Sequence, residues 1–294
     1  MVLVTGASGQ IGSRLTARLR AAGHEVLAVA LDASPRAGIT QCDFTKHDQI
    51  TQVFASHSIH TVVHLAAVLP TAFRADPIAA AEVNLIGTLH VVREAVERGV
   101  KRFVFASSLS VYGERPTSRA LSERDAAAPD EPYGAAKRVV ELIGESLATS
   151  GFSFGALRIA RVVGPGATSP ASAWRSAMFE TSGSSDEGPI TLPFAPTARL
   201  SLVHVDEVAR MLQLLVEAAA LPHSTYNAPA EVWEAQHLAH LVERVRKVRV
   251  RMGLAEGGPV ADGALFAQDF GFRLEGLTDY FSVPRPSTGR RPCV

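Results

Sequence analysis

Met1-Val-Leu-Val-Thr5-Gly6-Ala-Ser-Gly9-Gln-Ile-Gly12 begins with a short apolar run, passes three glycines at three-residue spacing, and enters an amphipathic stretch reaching about Ala22. The run has the length of a buried strand, the stretch that follows has helical periodicity, and Gly23 is placed to cap it. A glycine turn between strand and helix lets backbone N–H groups and the helix N-terminus approach a pyrophosphate without a Cβ in the way. The spacing G-x-x-G-x-x-G differs from the commoner G-x-G-x-x-G, but its place between strand and helix is the context a dinucleotide site requires.

Outward from that turn, strands and helices alternate. A second strand runs from Glu25 to about Leu31, and a third ends near Cys42, followed by Asp43-Phe44 and a helix over Lys46 to Ser56. Asp43 could meet an adenine edge or cap that helix. Thr61-Val-Val-His64-Leu65-Ala66-Ala67 is a fourth strand running into small residues, where the chain can pass closely under a ligand. His64 there is either a packed strand-end histidine or a ligand contact. Asp76-Pro77 starts a long helix that carries Asn84 and ends before Gly99. An amide in so apolar a helix needs a hydrogen-bond partner, and a neighbouring strand end can supply one. Arg102 to Ala106 is a fifth strand delivering Ser107-Ser108-Leu109-Ser110 to the sheet edge where open α/β sheets bind ligands. A sixth covers about Phe154 to Ile159 and leads to Arg161. The pattern predicts an α/β fold, a doubly wound parallel sheet with a small C-terminal substrate lobe. Residues 1–160 and a returning segment at about 200–222 form the dinucleotide-binding domain; 161–199 and 223–294 form the lobe.

Beyond Gly166 the alternation breaks. A polar loop occupies 181–189, a strand begins at Arg199, a helix runs from Asp206 to about Ala219, and another covers about Val232 to Arg246. Glu234, His237, His240 and Glu243 recur every three residues, a spacing that drifts round a helix and reads as a polar face, so no metal is expected.

Asp130-Glu-Pro-Tyr133-Gly-Ala-Ala-Lys137 places a phenol and an ammonium four residues apart, with Pro132 suited to a first helical turn. Residues at that spacing share a helix face, so Lys137 can hold a positive charge beside Tyr133. A phenol with a reference pKa of about 10 is a poor base at neutral pH, and a nearby cation stabilises its phenolate.

Composition narrows the function classes. Lys plus Arg and Asp plus Glu both number 29, which leaves no field that favours nucleic acid or an anionic membrane, so the expected partner is a small molecule. Cys42 and Cys293 lack metal-ligand spacing and fit a reducing compartment. With the first strand at Val2 and no apolar run of spanning length, the expected location is cytosolic.

Together, Thr5 to Gly12, Asp43-Phe44, His64 to Ala67, Asn84 with Gly87-Thr88, Ser107-Ser108 before Val111-Tyr112-Gly113, and Tyr133-x-x-x-Lys137 have the order and spacing of one family. Over about residues 1 to 220 the chain resembles the extended short-chain dehydrogenases/reductases, also called NAD-dependent epimerases/dehydratases. The resemblance makes Tyr133 the acid/base, Lys137 the residue that lowers its pKa and holds the nicotinamide ribose, and Ser108 the hydroxyl that polarises the reacting C–O group. It places the cofactor against Gly6, Ser8, Gly9, Gln10, Ile11 and Gly12, Asp32, Asp43, Phe44, Leu65, Ala66, Ala67 and Asn84. Substrate would meet Ser108, Ser110, Arg161 and Arg199, the last matching a family phosphate-binding arginine.

The departures from the family pattern point to substrate. Leu109 and Ser110 stand where sugar dehydratases carry an acid, and Arg161 stands where enzymes of nucleoside-diphosphate sugars usually have Asn. A guanidinium there can hold a carboxylate bidentately. His64 to Val68 and the shortened lobe look like the family's sugar-acid dehydrogenases. The expected activity is NAD(P)-dependent hydride transfer at a secondary alcohol or ketone of a sugar, sugar acid or similar substrate. A nucleotide-sugar 4-epimerase, a natural-product ketoreductase and a non-catalytic NAD(P)-sensing regulator stand as alternatives.

Two further expectations concern cofactor and assembly. If strand two extends far enough to bring Asp32 under the ribose, NAD is favoured over NADP; if it ends at Ala30, Asp32 points away and Ser34 with Arg36 could take a 2′-phosphate. The reading favours NAD. The resemblance also suggests that two chains pair through the helices at 77–98 and 133–149 as a homodimer.

Overall fold

A computed structural model describes residues 1–32, 38–167, 172–180 and 188–282. In chain order, β1 (Val2–Thr5), α1 (Gln10–Ala21), β2 (Val26–Ala30), β3 (Ile39–Gln41), α2 (His47–Ala55) and β4 (Thr61–His64) form the first half of a sheet with its crossovers. The second half follows as α3 (Pro70–Ala75), α4 (Pro77–Ala81), α5 (Thr88–Glu97), β5 (Arg102–Ser108), α6 (Pro132–Leu147) and β6 (Ser153–Ile159). These strands join β10 (Thr225–Asn227) in a seven-stranded sheet of order β10-β6-β5-β4-β1-β2-β3, and every pairing in it is parallel. Strand order reverses between β1 and β4, so their C-terminal ends open the crevice where a doubly wound sheet takes its ligand.

Alternation along the strands builds both faces. Val2 and Val4 of β1, with Val63, Val104 and Leu157, bury against Leu15 and Leu19 of α1 and the apolar face of the returning helix α8 (Val205–Glu217). Leu3, Val62, Phe103 and Phe154 point the other way, onto Ile50, Val53, Val91 and Val140 of α2, α5 and α6.

The lobe holds β7 (Arg161–Val163), α7 (Ala173–Ala177), β8 (Ile190–Phe194) and β9 (Arg199–His204), then β11 (Glu231–Glu234), α9 (Ala235–Arg246), β12 (Val250–Ala255) and α11 (Leu277–Ser282), while α10 (Ala264–Phe270) returns to β10, with Phe266 buried in the core of the central sheet. Its strands form two small sheets, β11-β9-β7 and β12-β8, around Trp174, Leu192, Phe194, Leu200, Leu238 and Val242.

Four sequence expectations need correction. The returning segment at about 200–222, assigned whole to the dinucleotide-binding domain, divides: its helix α8 packs on the central sheet, but its strand β9 pairs with β7 and β11, because the chain after β7 lies beside it. Thr225–Asn227, assigned to the lobe, is the seventh strand of the central sheet; at three residues it is too short for periodicity to reveal, and its pairing with β6 is non-local. The helix expected from Val232 starts at Ala235, because Glu231–Glu234 pairs antiparallel with β9. The helix from Pro77 is interrupted by a π-helical stretch, Glu82–Gly87, that carries Asn84. Ser34, Arg36, most of the polar loop (181–187) and the tail beyond 282 lie outside the described residues.

Candidate active site

At the end of β1 the chain turns through Gly6 at φ +63°, and a Cβ on Gly12 would lie 2.2 Å from the Gly6 carbonyl oxygen. No other residue fits that closure, and it leaves the N-terminus of α1 bare for an anion. Ser8, Gly9 and Ile11 stand at this turn, while the Gln10 side chain is spent elsewhere: its Nε2 donates to the Gly164 carbonyl at 2.7 Å.

The opposite wall is held by a relay of hydroxyls. Thr5 Oγ1 accepts the backbone N–H groups of Leu65 and Ala66 at 3.0 and 3.1 Å and lies 2.9 Å from His64 Nδ1. With both N–H groups on its oxygen, Thr5 gives its own proton to Nδ1. His64 then donates from Nε2 to Thr88 Oγ1 at 3.0 Å, and Thr88 donates to the Asn84 carbonyl at 2.9 Å. Burial, and secondarily the charge of Lys137, bring His64 down to about 3, so it is neutral and structural. Asn84 is equally committed: its amide accepts from Val68 N at 2.8 Å and donates to Val68 O at 2.9 Å. It therefore braces the end of the Leu65–Ala66–Ala67 shelf through the Val68 backbone.

Asp43 Oδ1 accepts from the N–H and hydroxyl of Thr45 at 2.9 and 2.8 Å, an Asx turn rather than the cap of α2, and these bonds, the backbone one foremost, lower its pKa. Phe44 beside it is buried. Strand β2 ends at Ala30, which leaves Asp32 exposed two residues beyond the strand.

Ser108, Tyr133 and Lys137, the residues expected to react, stand near the C-terminal end of β5. Ser108 closes the strand; its Oγ donates to Ser110 Oγ and accepts from Ser110 N, both at 3.2 Å. Tyr133, in the first turn of α6, is buried and shares a hydrogen bond with Ser108. Gly134 makes this approach possible, because a Cβ there would stand 2.1 Å from the Ser110 carbonyl oxygen. Sequence reading passed over Gly134, although a glycine directly after the tyrosine is visible in it.

Lys137 is only 3% exposed, donates to the Ala106 carbonyl at 2.8 Å and lies 4.6 Å from the Phe105 ring centre. Burial draws its ammonium down to about 8, against the pull of Glu141. The expectation that Lys137 lowers the phenol is not met here. Burial pushes Tyr133 up to about 12 and Glu114 adds to the rise, while the Ser108 hydrogen bond and Arg175 oppose it. The ammonium is turned to Ala106 and stands 5.8 Å from the phenol ring centre.

Arg161 enters from β7 and Arg175 from α7. Burial lowers the pKa of Arg161, and it carries Arg175 down to about 10 with the charge of Arg161 adding to the fall. Both guanidiniums thus lie within electrostatic reach of each other and of Glu114, and Arg175 also of Tyr133. Arg175 Nε is buried with no hydrogen-bond partner, and Arg161 Cζ lies over the Phe194 ring at 5.2 Å. Arg175 and Glu114 escaped the sequence reading: α7 is five residues long, and nothing local ties it to a tyrosine 42 positions away. Arg199 is exposed at the start of β9.

Among the described residues, no group of three or more His, Cys, Asp or Glu is arranged to hold a metal ion, and no helix is long and apolar enough to cross a membrane.

Comparison with known proteins agrees with this geometry. The UDP-glucose 4-epimerase of Lacticaseibacillus casei is 33% identical over 175 residues, 55% of this chain and 52% of the relative, so the chain spans about half that enzyme's length. The 3-diazoavenalumate denitrifying reductase of a Streptomyces sp is 31% identical over 252 residues, 81% of this chain and 79% of the relative. Among solved structures, MoeE5 in complex with UDP-glucuronic acid and NAD superposes with a TM-score of 0.81 at 28% identity, covering 96% of both chains. With the family's sequence profile matching residues 2–228, the glycine turn and the Ser108–Tyr133–Lys137 corner fall within one shared domain, and the chain belongs to the NAD dependent epimerase/dehydratase family.

Proposed function

We propose that this protein is an NAD-dependent oxidoreductase that acts at a secondary alcohol or ketone of a small hydroxylated acid. The observation that carries the reading is the pair of partly buried guanidiniums, Arg161 and Arg175, within electrostatic reach of each other, with Arg175 also within reach of Tyr133. Two partly buried like charges with no ion pair among the described residues, and Glu114 as the anion in electrostatic reach, can accept a further anion, and a planar carboxylate matches their fork geometry. The glycine turn, which a Cβ at Gly12 would fill, fits the pyrophosphate of NAD, and the Leu65–Ala67 shelf faces the same crevice.

The nicotinamide would supply or accept the hydride. The chain's own residues do the rest. Tyr133 Oη, kept protonated by burial, donates a proton to the carbonyl oxygen in reduction and takes it back from the alcohol in oxidation. Ser108 hydrogen-bonds that oxygen, Ser110 holds Ser108 in position, and Lys137 supports the phenolate while it exists. Arg161 and Arg175 bind the acid group and fix the reacting carbon against Tyr133. The name of the Streptomyces relative, a reductase aligned over most of both chains, supports reductive chemistry. The epimerase names among the relatives favour a second reading, in which the same residues act twice on a nucleotide sugar. A panel assay following reduced-nicotinamide absorbance separates the two: turnover of hydroxy or keto acids is expected, and turnover confined to nucleotide sugars would replace the first reading with the second.

Strand β2 ends at Ala30, the case in which Asp32 points away from the adenosine ribose, so the NAD assignment rests on the family and on the solved relative that holds NAD. Wild type is expected to bind NAD more tightly than NADP, and Asp32→Ala, a change at an exposed position beyond the strand, to shift NAD affinity by less than about threefold. Tighter NADP binding by wild type, lost in Arg36→Ala, would overturn this assignment.

A homodimer belongs to the same proposal. Ile78, Ile86, Val139 and Leu142 expose apolar side chains along α4, the π-helical stretch and α6, elements that touch one another, which supports a second copy packing there. Leu142→Asp should convert a dimer to a monomer in light scattering at micromolar concentration. A monomeric wild type would remove the interface.

A further inference from the structure

Behind the reactive corner lies a buried ionic cluster that the proposed chemistry does not use. Glu141, one helical turn after Lys137 on α6, is fully buried. Its Oε1 accepts from Ser107 Oγ at 2.6 Å and Arg158 Nε at 2.9 Å; its Oε2 accepts from Arg158 Nη2 at 2.8 Å and Arg138 Nη1 at 2.9 Å. Arg158, on β6, spends its remaining Nη1 on Tyr112 Oη at 2.7 Å. Asn227 on β10 donates from Nδ2 to the Leu121 and Asp262 carbonyls, so its Oδ1 is left to accept from Tyr112 at 2.9 Å.

Every hydrogen-bonding position on this carboxylate is thus filled by β5, α6 and β6. Two of its bonds bear on the reactive residues. Ser107 is the neighbour of Ser108 on β5, so the Glu141–Ser107 bond fixes the strand end that presents the hydroxyl. On the helix, positions 137 and 141 share a face, which brings the carboxylate near the buried ammonium.

We propose that Glu141 is a positioning residue: its clamped carboxylate holds the β5 end that bears Ser108 and keeps the buried ammonium of Lys137 charged. Arg158 and Arg138 are its counter-ions, and their ion pairs offset the cost of burying the carboxylate. The groups facing Lys137 are Tyr133 and Glu141 on α6 and His64 on β4, with Arg158 on β6 behind Glu141. His64 is neutral and Tyr133 is protonated at working pH, so Glu141 is the anion that offsets the cost of a buried ammonium. The proposal rests on the oxidoreductase reading for its meaning, but its test needs no substrate.

The chain has four lysines, Lys46, Lys101, Lys137 and Lys247, and the other three are exposed. Lysine labelled with carbon-13 at Cε therefore gives four signals, of which Lys137→Met removes one and so assigns it. Followed by NMR, that signal should titrate near 8 in wild type, and in Glu141→Gln its midpoint should fall by about one unit or more, the size of effect a nearby opposite charge produces. Glu141→Gln/Arg158→Met removes the stranded cation as well, and its midpoint should lie between those of the other two proteins. A residue that only packs would leave both variants within a few tenths of wild type, and that result overturns the proposal. If the single variant fails to fold, the double variant, which strands no buried charge, decides by itself, and a midpoint at or above wild type is the overturning result. Failure of the substrate panel would not alter these titrations, and unchanged titrations would not alter the panel.

Discussion

Tyr133→Phe is expected to lower turnover by roughly two to four powers of ten while NAD affinity stays within about twofold of wild type. The ring and its packing survive the change, including the edge-on contact with Phe73 at 5.9 Å, so the loss isolates the hydroxyl. That hydroxyl is the group within hydrogen-bond reach of Ser108, and its pKa near 12 keeps it a proton donor throughout the neutral range. A companion pH profile reports Lys137. Its pKa lies below the ordinary lysine value, at about 8, so the ammonium is present below pH 8 and is lost as pH rises through it. Activity should accordingly fall on the alkaline side near pH 8, long before the phenol titrates. Near-wild-type turnover by Tyr133→Phe would take Tyr133 out of the chemistry.

The second large effect is on stability. Arg158→Met should destabilise the fold by about 3–5 kcal/mol, because it strips the principal counter-ion from a carboxylate that has no access to water. Burial works against the Arg158 charge, yet its Glu141 hydrogen bonds and charge raise its pKa overall, a sign of how completely the two are paired. Arg138 remains 2.9 Å from Glu141 in the variant and moderates the loss toward the lower figure. In a chain of this size the drop in melting temperature is on the order of 10 °C. The control is Arg74→Met, which breaks an exposed pair with Glu131 at 3.4 Å and should cost less than about 1 kcal/mol. Equal melting temperatures for the two variants in parallel thermal scans would refute the buried-pair account.

Residues close in sequence carried their structure openly. The strand, glycine turn and helix of residues 2–21 were legible because each element's periodicity is local and because Gly12 permits a backbone closure that no other residue allows. Tyr133 and Lys137 were legible as a pair for the same reason, four residues of one helix presenting one face. The parallel sheet followed from strands and helices taking turns.

Tertiary structure alone decided how the charges are spent. A Tyr–x–x–x–Lys spacing implies a lowered phenol, but burial of Tyr133 raises it instead, with Glu114 adding to the rise, and desolvation depends on what packs around a group from distant parts of the chain. Asn84 and His64 could be read as polar residues in apolar settings; that their hydrogen bonds are consumed by Val68, Thr5 and Thr88 needed strands and helices brought into contact. Arg175 on a five-residue helix, Thr225–Asn227 in a three-residue strand and the Glu141–Arg158 pair have no periodic trace. Their roles come from contacts between segments tens of residues apart, which a reading of local pattern has no means to weigh.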